Sequence, residues 1–157
     1  MSEPRKILLV DKDVAIRRSA TSVLRATGYD VVAATDFDTA CEAGDAGDIE
    51  LAIVGQELGP GPTGFVLLRE LKARGRRFPV VMLVGPGEPE DILAAFRLGA
   101  SDVLLKPLRP SELLCIVDRE MGLSALEAAE CSGLNASVTG ENSLVRTSSD
   151  ISPVDPG

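Results

Sequence analysis

The chain has no histidine and no tryptophan, and aromatic residues make up only 3% of its 157 positions. Without imidazole, no side chain has an ordinary pKa near neutrality, and the histidine-based metal and acid–base sites of many enzymes cannot be built. Few rings also means few platforms on which a base or a flavin can stack. Cys41, Cys115 and Cys131 are odd in number and form no close pair, so neither a redox pair nor a thiolate metal site is expected. No apolar run approaches the roughly 20 residues that span a bilayer, and the opening MSEPRKILLV lacks the long apolar stretch of a signal peptide. A cytoplasmic protein with reduced thiols and no membrane partner is expected. Positive charge is scarce as well. Sixteen Lys and Arg face 24 Asp and Glu, giving a net charge of -8, which repels a phosphate backbone over most of the surface. No nucleic-acid partner is expected.

What is present is a 45% hydrophobic chain, enough for one real core. Short, nearly continuous apolar runs alternate with amphipathic stretches, the pattern of parallel strands joined by helices. Five strands are predicted, from Lys6 to Val10, Tyr29 to Ala34, Leu51 to Val54, Val80 to Val84 and Asp102 to Leu105. Helices are predicted from Asp13 to Ala26, Asp36 to Ala43, Gly64 to Arg74, Pro89 to Leu98 and Ser111 to Met121. Right-handed crossovers fold such units into a three-layer α/β sandwich. Residues 1–121 form this domain. From Gly122 the composition turns to Ser, Thr, Gly, Asn and Pro, with Arg146 against five acids, so residues 122–157 read as a disordered polar tail.

In an open α/β sheet, chemistry gathers at the carboxyl ends of the strands. Those ends carry Asp11-Lys12-Asp13, Gly55, Val84-Gly85 and Lys106-Pro107. Here ILLVDKD followed by Arg17, the FPVVMLVG run and GASDVLLKPL together resemble the receiver domain of two-component response regulators, over roughly residues 5 to 121. The resemblance implies a flavodoxin-like (βα)5 doubly wound sheet of strand order 2-1-3-4-5, with Asp11 beside Gly55. It also implies a site of five parts: two acids after strand one for magnesium, an aspartate ending strand three as phosphoacceptor, a hydroxyl residue ending strand four and a lysine ending strand five.

Only Asp11 and Lys106 match that set. Lys12 stands for the second acid, Gly55 for the phosphoacceptor and Val84 for the hydroxyl residue. Phosphoryl transfer onto a carboxylate needs a carboxylate, and glycine offers no side-chain atom. An ammonium about 5 Å from a bound magnesium ion costs roughly 3 kcal/mol per charge pair at an effective dielectric near 20. Valine has nearly the shape of threonine but no donor for a phosphoryl oxygen. Val103 further replaces the aromatic residue that many family members use as a reporter of activation. The expected residual pocket is Asp11, Lys12, Gly55, Val84 and Lys106, with no metal, no cofactor and no enzymatic activity. Asp11 and Lys106 are expected to pair with Lys12 turned to solvent, Asp13 to cap the first helix, and Lys106-Pro107 to be cis by resemblance.

Other features have plainer readings. Gly59 to Gly64 matches GxGxxG, but Pro60 and Pro62 have no N–H for a pyrophosphate, so a stiff turn is expected. Gly85-Pro86-Gly87-Glu88-Pro89 reads as a rigid loop. Arg69, Lys72, Arg74, Arg76 and Arg77 read as a solvated basic face near the third helix's end. In the last helix, the run from Leu113 to Val117 is wider than one buried stripe requires, so part of it is expected to face outward. Leu93, Leu114, Cys115 and Arg119 are the expected partner surface, on the helix 4/strand 5/helix 5 face that receivers use for dimerisation or output. The function expected is a pseudo-receiver that works through protein–protein contact, as a possible homodimer. The alternatives are an authentic regulator phosphorylated by a histidine kinase at an unconventional acceptor, and a small-ligand-binding flavodoxin-like domain.

Overall fold

In the computed structural model, which describes residues 4–86 and 89–122, ten elements alternate strictly. They are β1 (Lys6–Val10), α1 (Val14–Ala26), β2 (Asp30–Ala34), α2 (Phe37–Asp45), β3 (Ile49–Gly55), α3 (Gly64–Ala73), β4 (Val80–Val84), α4 (Pro89–Arg97), β5 (Asp102–Leu105) and α5 (Pro110–Glu120). All strand pairs are parallel, in the order β2-β1-β3-β4-β5. The flavodoxin-like (βα)5 expectation therefore holds.

The strands' two-residue period divides the interior in two. Leu8, Val10, Ala52, Val54, Met82 and Val84 face α2, α3 and α4, where Leu67, Leu68, Leu71 and Ala95 meet them. Ile7, Leu9, Leu51, Ile53, Val81 and Leu83 face α1 and α5, where Leu24, Leu113, Ile116 and Val117 complete the second core. Truncating one of the fully buried leucines to alanine costs about 2–5 kcal/mol, so either layer is decisive for folding.

Helix ends follow local chemistry. Asp13 caps α1, its carboxylate accepting from the N–H groups of Ala15 at 2.9 Å and Ile16 at 3.3 Å. Asp36 accepts from the Thr39 N–H at 2.8 Å at the start of α2. Pro110 opens α5, where a missing N–H costs nothing. After α1, Gly28 takes a φ of 100°, which a side chain would resist.

Several boundaries differ from expectation by one or two residues, and two of them have identifiable reasons. β3 begins at Ile49, because Lys6 pairs with Ile49 across a register shift that accommodates the exposed Glu50. β2 begins after Tyr29, whose N–H closes the end of α1 on the Leu24 carbonyl and whose hydroxyl donates to Asp118 at 2.7 Å. The polar tail expected over residues 122–157 lies, apart from Gly122, outside the described residues, as do Gly87 and Glu88 of the proline loop and Cys131.

Candidate functional site

Register brings the strand ends together. Val10 stands beside both Ala34 and Val54, Gly55 beside Leu83, and Val84 beside Leu105. The residues that follow these pairs meet in one crevice of about 230 Å³, lined by Asp11, Lys12, Asp13, Gln56, Glu57, Gly85 and Lys106.

Asp11 lies at its floor, only 1% exposed. Its Oδ1 accepts the Asp13 N–H at 3.0 Å, and its backbone carbonyl accepts from Arg17 Nη1 at 2.6 Å. Lys106 Nζ approaches Oδ2 to 2.9 Å. That contact supplies charge neutralisation without hydrogen-bond geometry, since Oδ2 has no hydrogen-bond donor. A buried carboxylate is tolerable only with such compensation. The Lys106-Pro107 bond is cis, as the resemblance implied.

Lys12 lies at the mouth of the crevice, with its side chain largely exposed to solvent. Its Nζ meets Glu57 Oε1 at 2.7 Å, and its N–H donates to the Glu57 carbonyl at 3.4 Å. The hydrogen bond to Glu57 and its charge push the Lys12 pKa up, and the same bond pushes Glu57 down. Both side chains are exposed, so the pair is worth little to stability. Its effect is to fill the rim of the crevice with a closed ion pair.

The Gly55 position explains why Asp11 can lie as it does. A β-carbon there would fall 2.4 Å from Asp11 Oδ2 and 2.6 Å from its Cγ. The carboxylate occupies the volume that a side chain at 55 needs. Gly64 is tighter still, since a β-carbon on it would reach 1.8 Å from the Gly55 carbonyl oxygen. This contact binds the start of α3 onto the end of β3, so the GxGxxG match ends in a packing glycine.

The residual pocket is corrected in two places. Val84 is 1% exposed and belongs to the core under α3 and α4, because the strand's period turns its side chain inward. Gly85, one residue on, forms the wall in its stead. Gly55 is buried beneath Asp11, so the crevice wall comes from Gln56 and Glu57. Neither residue was singled out from the sequence. Their signal was position alone, immediately after the third strand.

The partner surface is corrected as well. Cys115 is 2% exposed, and Leu113, Ile116 and Val117 are buried with it. Leu114 is half-buried against the same core. The broad apolar run of α5 is consumed because the helix is wedged between the sheet and α1, and its end is gripped by Arg5, whose Nη1 bonds the Met121 carbonyl. Arg119 is exposed and paired with Asp102. Leu93 does face solvent at 52%, and it is joined by two residues that sequence reasoning missed, Phe96 at 47% and Leu105 at 49%.

The donor set does not fit a magnesium ion. Asp11 Oδ2 is held by Lys106, position 12 is an ammonium and position 55 has no side chain. Among the described residues, no three His, Cys, Asp or Glu side chains converge as metal ligands.

Residues 7–118 match the family described as response regulator receiver domain. The chain belongs to that family. This receiver is 32% identical over 159 aligned positions to the phosphate regulon transcriptional regulatory protein PhoB of Klebsiella pneumoniae, covering 98% of this chain and 67% of that one. The transcriptional regulatory protein FixJ of Azorhizobium caulinodans is 31% identical over 125 residues, covering 80% of this chain and 59% of that one. Among solved structures, the receiver domain of NtrX from Brucella abortus has a TM-score of 0.71 at 32% identity, covering 75% of this chain and 99% of that one. The chain thus spans about three fifths to two thirds of the length of these curated relatives. Among the described residues, no helix is long and apolar enough to cross a membrane.

Proposed function

We propose that this two-component receiver domain is a pseudo-receiver, a signalling module read by a protein partner without phosphorylation and without enzymatic activity of its own. The observation that carries this reading is the pairing of Gly55 with Asp11. The phosphoacceptor position has no carboxylate, and the Asp11 carboxylate fills the room one would need. Lys106 neutralises Asp11 in place of metal and phosphate, so the crevice satisfies its own charges.

The surface best suited to a protein partner is the α4–β5 side. Leu93 and Phe96 lie one turn apart on α4 and are exposed, as is Leu105 on β5. Such apolar exposure favours association with a protein, a second copy of the chain included. The relatives are named as transcriptional regulators, yet the negative balance of this chain leads us to assign its receiver no nucleic-acid contact.

The test is an amide NMR titration with magnesium and then beryllofluoride, a phosphoryl mimic, alongside mass spectrometry after incubation with acetyl phosphate. Unmoved resonances at Asp11, Gly55 and Lys106 and an unchanged mass are expected. Saturable shifts there, or an added phosphoryl group, would instead favour a regulator phosphorylated at an unconventional acceptor.

A further inference from the structure

Gln56 is engaged through all four of its polar heavy atoms. Its N–H donates to the Leu83 carbonyl at 2.9 Å, on β4, and its carbonyl accepts the Gly64 N–H at 3.0 Å, where α3 begins. Its side chain then reaches to both flanks of the β4–α4 connection. Oε1 accepts the Gly85 N–H at 3.3 Å, and Nε2 donates to Asp91 Oδ2 at 3.1 Å. Chemistry fixes this orientation of the amide, because a backbone N–H can only donate and a carboxylate can only accept.

No other residue at these strand ends can do this. Gly55 has no side chain, and Val84 is turned into the core. Glu57 is committed to Lys12. Asp91 sits in the first turn of α4, where a carboxylate is favoured by the helix dipole and is available as an anchor. The amide is neutral and its two ends match an N–H and a carboxylate, so the link depends on no added group.

We infer that Gln56 is a built-in latch, fixing the start of α4 against the ends of β3 and β4 and thereby setting the presentation of Leu93 and Phe96. The inference rests on the pseudo-receiver reading for its purpose, since it supplies the single conformation that a partner reads. It rests on geometry alone for its existence. Gln56 is a positioning residue that never touches the partner.

The experiment is amide hydrogen exchange by NMR on the full chain. Gln56→Met keeps the length of the side chain and loses both bonds, and Gln56→Glu puts a carboxylate against Asp91. In both, the amides of α4 from Ala94 to Leu98 should exchange about tenfold faster or more, and in Gln56→Met, which also loses the acceptor, so should the amide of Gly85. The amides of Ile53 and Val81 should keep their protection. In Gln56→Glu/Asp91→Asn the introduced amide donates back across the gap, and α4 protection should return to within about twofold of wild type.

Unchanged exchange in Gln56→Met overturns the latch. So does a loss spread equally over the sheet, which marks ordinary structural support, and so does a double variant that fails to rescue. Beryllofluoride binding with the three variants behaving as stated overturns the pseudo-receiver reading and leaves the latch standing.

Discussion

Asp11 illustrates how the loss of one side chain redirects another. With glycine at position 55, its carboxylate settles into the vacated space and takes Lys106 as counter-ion. Gly55→Asp is therefore not a simple restoration. Its β-carbon collides with Asp11, and a second carboxylate meets the first in a buried place. A loss of about 2 kcal/mol or more in chemical denaturation is expected from the steric overlap, with no phosphoryl uptake from acetyl phosphate. The ion pair itself is testable. Lys106→Met leaves Asp11 buried and uncompensated, and is expected to cost about 3 kcal/mol in the same assay. Pairing it with Asp11→Asn removes the stranded charge and should recover most of that loss.

The elements differ in how much of their surface they commit. α5 commits its apolar face, and the four buried positions there leave no room for a charge. Cys115→Asp should abolish cooperative folding, whereas Leu93→Asp on α4 should change stability by no more than about 0.5 kcal/mol. In sedimentation, Leu93→Asp should lose whatever self-association or partner binding the wild type shows. The end of α5 carries a second, pH-dependent effect. Burial pushes the Glu120 carboxyl up, and Asp102 pushes in the same direction against Arg119. A folded pKa above the unfolded one means that the folded state binds the proton more tightly. Its contribution to stability is full below the unfolded value and is lost as pH rises through the folded one. Glu120→Gln should therefore raise the Tm at pH 7 and leave it unchanged near pH 3, read by thermal unfolding at both.

At the scale of the molecule, the described residues of both cores run from Ile7 to Met121. From the polar composition of residues 122–157, a chain stopped after Gly122 is expected to unfold in one cooperative transition, with a Tm within about 2 °C of the full chain, as followed by circular dichroism. The crevice and the α4–β5 surface belong to the same layered unit. Gln56 ties its parts together, with backbone bonds from the end of β3 to β4 and to the start of α3, and a side chain that reaches Gly85 and Asp91 of α4.

Much of this was written in the order of residues. Alternating apolar runs are sufficient for five strands and five helices because burial on both faces of a parallel sheet leaves few other ways to hide them. The absence of a carboxylate at position 55 and the cap at Asp13 are likewise local facts. The side on which a residue falls was another matter. Val84 turned into the core and Cys115 onto the buried face of α5 because strand period and helix wedging, both set by neighbours distant in sequence, decide which face meets solvent. The same holds for Gln56. Nothing in its immediate sequence marks a glutamine as a link, and only the parallel register of β3 and β4 carries its amide to Gly85 and Asp91, 29 and 35 positions away.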